Sequence, residues 1–227
     1  MALAGVFIAY DAIKFVVKMT VKTTISILLA LREIYAPVNP RSTLKELPLL
    51  DVHAKRLISL SPFVVIASYG ADGRADTSPR GGDAGFVKIV DAYTLLIADS
   101  QGNNRLDSLE NIIATGQVGL LFMVPGMDET LRVNGTAVLS TIEAERKLCE
   151  DSRRVLPLVI RVTVQACYLH CAKALMRSDL WNASKHIDRS QLPSMGEMMH
   201  DQVGSKMGGG KVLETQEQML KRYQETL

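Results

Sequence analysis

The spacing of apolar residues changes character about a quarter of the way along the chain. Between residues 20 and 60 the pattern is mostly helical, with Ile25, Leu28, Leu29, Leu31 and Ile34 recurring at roughly helical spacing. Pro37 and Pro40 end that helix and mark a linker. A further short helix is expected from Asp51 to Leu60, closed by Ser61 and Pro62. From there the pattern becomes strand-like. Phe63 to Tyr69 is rich in β-branched and aromatic residues, Gly70 to Gly73 carries a hairpin signal, and Arg74 to Ser78 reads as the returning strand.

A glycine-rich loop through Gly81, Gly82 and Gly85 then leads to a strand over Phe86 to Val90, a turn at Asp91-Ala92, and a strand over Tyr93 to Ala98. Leu106, Leu109, Ile112 and Ile113 predict a short amphipathic helix that stops near Gly116. Three more strands are expected at Val118 to Val124, Thr130 to Ser140 and Leu158 to His170, with a turn at Pro125-Gly126 and a helix near Ile142 to Glu150. The tail from Trp181 is polar, rich in Met and Gly, and ends in a helical pattern near Leu213 to Leu227.

Six or seven strands joined mostly by hairpins, with helices only at the edges, predict a mainly β fold: a small antiparallel barrel with peripheral helices. The expected organisation is a helical N-terminal extension over 1–50, a barrel domain over 51–180 and a helical tail over 181–227. At 227 residues and 47% hydrophobic content the chain can bury a full core. Its formal charge of +2 gives no basic field for nucleic acid, so any anion must be held by a few placed arginines. Cys149, Cys167 and Cys171 make an odd count with no secreted disulfide framework, which favours the reducing cytosol. The apolar opening stretch is broken by Asp11, Lys14 and Lys18 before it could span a bilayer, and no membrane association is expected.

Two arginine-bearing segments stand at the ends of strand patterns. In the first, Thr77 to Gly82, Pro79 marks a strand end or edge and the glycines after Arg80 let backbone approach a ligand closely. In the second, Gly102 to Asp107, Asn104 is expected to cap a helix whose first residue is Arg105, with Asp107 completing a capping box. A helix start and an Arg fork together suit phosphate oxygens. Taken singly, the first segment reads as a turn with a solvated Arg and the second as an ordinary helix cap; it is the pair that points to a shared site.

Other candidates are weaker. His170 lies between Cys167 and Cys171, but neighbours on a strand face opposite ways and no further ligand pair is visible, so a metal site is not expected. Lys88 and Arg132 suit substrate-side cations or a solvated face equally. No acid/base pair, Ser-His-Asp arrangement or phosphate-binding P-loop is present.

Several motifs occur in a fixed order: Ser61 to Phe63, Gly70 to Gly73, Ser78 to Gly81, Gly102 to Ser108 and Leu131 to Gly135. With these the chain resembles the pyridoxamine 5'-phosphate oxidase-like flavoproteins, which have an FMN-binding split barrel. It is most similar to a bacterial subgroup with a Cys-x-Lys-Ala-x-x-Arg-Ser-x-Leu-Trp pattern, here Cys171 to Trp181. The resemblance implies FMN as cofactor, with Arg80, Arg105 and Asn103 or Asn104 at its phosphate. It implies that backbone from Ser78, Pro79 and Gly81 and the strand starting at Phe86 and Val87 lines the ring. It further implies a homodimer with FMN at the interface, where Lys173, Arg177 and Trp181 reach the partner's flavin. The expected activity is that of an FMN-dependent oxidoreductase acting on a small molecule. The alternative is a binding protein that holds flavin or haem without turnover, and deazaflavin stays open as a cofactor. Oxidation of pyridoxamine 5'-phosphate itself is disfavoured by the carboxy-terminal pattern.

Overall fold

The computed structural model describes residues 24–99, 102, 104–150, 156–204, 206 and 214–225. The chain divides into two compact units, Met1–Ala172 and Lys173–Leu227. The apolar opening stretch lies outside the described residues.

The first unit is built on seven strands: β1 (Phe63–Tyr69), β2 (Ala75–Gly81), β3 (Lys88–Ile89), β4 (Thr94–Ala98), β5 (Gln117–Met123), β6 (Thr130–Ser140) and β7 (Val159–His170). They form one sheet in the order β2-β1-β5-β6-β7-β4-β3, and every pair is antiparallel. Among the described residues the helices that accompany it are α1 (Leu28–Ile34), α2 (Pro40–Leu44), α3 (Val52–Leu60), α4 (Asp107–Thr115) and α5 (Glu143–Cys149). The fold is mainly β and split-barrel-like, as the hairpin-rich pattern predicts.

Alternation along the strands builds the core. Val64 and Ile66 on β1, Val118, Leu120 and Phe122 on β5, and Leu131 and Val133 on β6 are buried with Leu95 and Ile97 of β4. The helices close it with Ala54, Leu57 and Ile58 from α3 and Leu109 and Ile112 from α4. The α3 helix starts where the sequence places it, because the Asp51 carboxylate accepts from Ala54 N at 2.8 Å. Ser61, buried to 1% exposure, sits 2.7 Å from the carbonyls of both Phe63 and Met123 and so joins the start of β1 to the end of β5.

The long strand β7 shows why strand alternation alone misleads. Val159 and Ile160 are both buried at its start; beyond them the buried residues are Val162 and Val164, then Cys167, so the inward parity flips at Gln165. The pairing records the same break: Asn134 faces Ala166, whereas Gly135 faces Val164. At that bulge the backbones approach so closely that a Cβ on Gly135 would overlap the Thr163 carbonyl. The glycine of the Leu131–Gly135 motif is therefore a packing requirement.

Three element readings are corrected. The strand expected over Phe86 to Val90 is only Lys88–Ile89, because Phe86 and Val87 turn inward against the core. The helix expected over Ile25 to Ile34 is only Leu28–Ile34, and of its residues Ala30 alone is buried. Pro40 opens α2 instead of ending a helix, since its fixed φ suits a first helical position.

The second unit contains α6 (Lys173–Ser178), α7 (Met195–Val203) and α8 (Gln216–Gln224). Capping boxes start both longer helices, Ser194 with Glu197 and Thr215 with Gln218. Arg222 forks onto Glu214 through two hydrogen bonds of 2.9 and 2.8 Å.

Candidate functional site

Strand β2 is the sheet edge, so it needs a ladder on one side only. That is why Pro79, which has no N–H to give, is accommodated opposite Val65 and the strand runs on through Arg80 to Gly81. The expected end at Ser78 is corrected accordingly. Ala75, Thr77, Pro79 and Gly81 are exposed, while Asp76, Ser78 and Arg80 are half-buried. Residues directly opposite one another in an antiparallel pair share a face. Arg80, Ser78 and Asp76 stand opposite Val64, Ile66 and Ser68, all buried, so these polar side chains lie on the core side of the edge strand. The Arg80 guanidinium donates through Nη1 to the Ser78 hydroxyl and, at 3.0 Å, to the Pro79 carbonyl. Its Nε and Nη2 have no hydrogen-bond partner among the described residues.

The second segment departs from its expected form. Asn104 is not the helix cap: its φ is 59°, a left-handed conformation that asparagine tolerates better than most residues. Helix α4 begins at Asp107, and Leu106 in the capping position offers no side-chain acceptor. Arg105 is thus a loop residue just ahead of the helix. Its Nε donates to Asp107 Oδ2 at 2.5 Å, and both side chains are exposed. That hydrogen bond, the Asp107 charge and then the Asp76 charge raise the Arg105 pKa. Asn103 lies outside the described residues.

Three hydrogen bonds fasten α4 along the β1–β2 hairpin. Ser108 Oγ donates to Asp76 Oδ2 at 2.6 Å, Asn111 Nδ2 to Ser68 Oγ at 3.1 Å, and Thr115 Oγ1 to the Tyr69 carbonyl at 3.0 Å. The fastening brings the two arginine segments onto one surface. Asp99, just after β4, joins them there: burial raises its carboxyl pKa, and the nearby Arg80 charge opposes the shift. Asp76, Asp99 and Ser108 are the residues sequence reasoning missed. The signal for Asp76 was its even spacing from Ser78 and Arg80.

The other expected residues fall in different places. Val87 is buried in the core, and half-buried Phe86 packs against it with its N–H given to the Asp83 carbonyl at 2.9 Å. Lys88 donates to the Gly85 carbonyl at 3.1 Å. Arg132 is anchored by its cross-strand neighbour Tyr168: Nη1 donates to the phenol oxygen at 3.0 Å and the guanidinium lies 5.6 Å from the ring centre. Pro79, Val65, Leu121, Arg132 and Tyr168 form one row across five strands. That row is the sheet's outer face, so Arg132 and Arg80 lie on opposite faces. His170 ends β7 opposite Thr130. Lys173 and Arg177 belong to α6 of the second unit, and Trp181 follows it, half-buried. Among the described residues no three His, Cys, Asp or Glu side chains come together to hold a metal ion. No helix among them is long and apolar enough to cross a membrane.

The donor set fits one end of a phosphorylated ligand. Arg80 is half-buried, held at one nitrogen and without a hydrogen-bond partner at two others among the described residues, which suits bidentate contact with phosphate oxygens. The Arg105–Asp107 pair is exposed, and such pairs contribute little in water, so an entering anion can compete for Arg105. The carboxylates Asp76 and Asp107 act on Arg105 and Asp99 on Arg80, so their charge would oppose an anion there.

No curated protein matches the chain. Among solved structures, HupZ of Group A Streptococcus is 20% identical, covering 52% of this chain and 92% of its own, with a TM-score of 0.45. General stress protein 26 of Bacillus anthracis is 12% identical over 51% of this chain and 88% of its own, at 0.39. An FMN-binding protein of Syntrophomonas wolfei is 8% identical over 53% and 90%, at 0.38. The decisive match is to a family model, "Pyridoxamine 5'-phosphate oxidase", over residues 50–171. That match spans more than half of the 227-residue chain and takes in the whole sheet with both arginine segments, so the chain belongs to the pyridoxamine 5'-phosphate oxidase family.

Proposed function

We propose that this chain is an FMN-binding flavoprotein, and that it works as an oxidoreductase on a small molecule. The observation that carries the reading is the Arg80 guanidinium, half-buried with two nitrogens open, on a surface that α4 shares with Arg105. Arg80 and Arg105 hold the phosphate, with Asn104 beside them. The exposed edge backbone at Pro79 and Gly81, with Ser78 behind it and the chain at Phe86 and Val87, borders the ring. Lys173, Arg177 and Trp181 take the role that the family resemblance gives them, at the flavin of a partner subunit.

Bound FMN would supply the hydride or electron chemistry, so the protein's residues need only bind, orient and screen. Arg80 fixes the anion, the Ser78 hydroxyl fixes Arg80, and burial beside Val64 and Ile66 restricts water at that face. A homodimer accompanies this reading. Half-buried Phe63, Val65, Leu121 and Met123 line the sheet's outer face, and a second copy would cover them. In solution the particle is expected at about twice the 24.9 kDa of the chain.

Purified protein is expected to be yellow or to take up added FMN. Rapid mixing with nicotinamide donors, followed by acceptor screening, then tests turnover. Flavin that is neither reduced nor reoxidised under any condition would favour a binding protein over an oxidoreductase.

A further inference from the structure

We propose that Asp76 is a positioning residue for the phosphate site: its carboxylate holds Ser108, and through Ser108 it sets α4 and Arg105 against the strand end that carries Arg80. The inference rests on the FMN reading above. Asp76 was not a candidate in the sequence, and as a carboxylate beside two arginines it would be expected to repel an anion. Its geometry gives it another role. It lies on the same face of β2 as Ser78 and Arg80, directly opposite Ser68, which receives the next hydrogen bond from α4. Ser108 is buried to 5% exposure, so its hydroxyl needs a partner, and Asp76 Oδ2 at 2.6 Å is that partner across 32 positions of sequence. Ser108 adjoins Asp107, which holds Arg105. A continuous relay therefore runs from Arg80 and Ser78 along β2 to Asp76, across to Ser108, and through Asp107 to Arg105.

Charge and position make opposite demands on Asp76, and this separates them. If Asp76 mattered through its charge, removing the charge would strengthen anion binding whatever replaced it. If it matters through position, the outcome depends on whether Ser108 keeps an acceptor. Asp76→Asn removes the charge and keeps a carbonyl for the hydroxyl, while Asp76→Ala removes both.

The test uses the full chain and two probes, FMN and riboflavin, which differ only in the phosphate. Binding is followed by quenching of flavin fluorescence, and the melting temperature of the ligand-free protein is recorded for each variant. The wild type is expected to prefer FMN by about tenfold or more, the scale of charge-assisted hydrogen bonds. Asp76→Ala and Ser108→Ala should each remove most of that preference while leaving riboflavin affinity within about threefold, and the double variant should lose no more than either single one. Asp76→Asn should keep the wild-type preference or exceed it. Full FMN preference in Asp76→Ala overturns the proposal. So does an equal loss of both ligands, which marks a general structural role, or an Asp76→Asn loss as large as that of Asp76→Ala. A wild type that binds both flavins equally overturns the phosphate assignment itself.

Discussion

The Arg80 guanidinium is tethered through Nη1 to the Ser78 hydroxyl two residues back on the same face of β2, and Nε and Nη2 have no hydrogen-bond partner among the described residues. Arg80→Ala is expected to weaken FMN binding about tenfold or more, the cost of losing charge-assisted bonds to a phosphate. Arg80→Lys should recover only part of the loss, because an ammonium cannot reproduce a planar fork. Fluorescence titration checks both, and wild-type affinity in Arg80→Ala would remove this arm of the site.

Asp107 is paired with Arg105, so on the proposed reading it would compete with an anion for the guanidinium. Asp107→Asn should therefore bind FMN a few-fold tighter, while thermal melting of the ligand-free protein stays nearly unchanged because the pair is exposed. Arg105→Ala should weaken FMN, and the loss should shrink as salt is raised.

Asp99 makes stability depend on pH. Burial raises its folded-state pKa above the unfolded value, despite the opposing Arg80 charge. A carboxyl shifted upward favours the native state fully below the unfolded pKa, and that contribution is lost as pH rises through the folded pKa. Asp99→Asn, which never ionises, should melt higher than wild type at pH 7, and the difference should close as pH falls toward the ordinary aspartate range. Melting curves from pH 3.5 to 7.5 report the sign directly.

The thiols differ in their expected reactivity. Burial pushes Cys149 and Cys167 up to about 11, with Lys88 opposing the shift at Cys149, whereas Cys171 is exposed. Because the thiolate is the reactive form, iodoacetamide at pH 8 should label Cys171 alone in the folded protein and all three cysteines after unfolding. Mass spectrometry of labelled peptides reads the result.

Gly135 tests the β6–β7 bulge. A methyl group there would strike the Thr163 carbonyl, so Gly135→Ala should destabilise the protein by about 2 kcal/mol, typical of forced overpacking. Denaturant unfolding measures it, with Gly126→Ala, where a Cβ would meet nothing but φ is 83°, as a backbone-strain comparison.

The sequence pattern identified most of the sheet because most of its strands alternate cleanly: β1 and β6 lie where they were expected, at Phe63–Tyr69 and Thr130–Ser140. It shortened β2 because proline ordinarily stops a strand, and only the edge position revealed by the assembled sheet lets Pro79 stay within one. It placed the start of α4 two residues early because Asn104 looks like a cap, whereas its backbone is left-handed. The two arginines were visible as strand-end and helix-start residues. What joins them was not, since the Ser108–Asp76 bond depends on a strand and a helix meeting across 32 positions of sequence. Arg132 was compatible with the same site until the strand pairing put it on the other face of the sheet.

The most direct test of the account is the absorption spectrum of the purified full chain before and after incubation with FMN and removal of excess, with mass identification of whatever is released on denaturation. The account predicts a flavin spectrum and a released mass matching FMN, in an amount approaching one per chain. A colourless protein that retains no added FMN would contradict it.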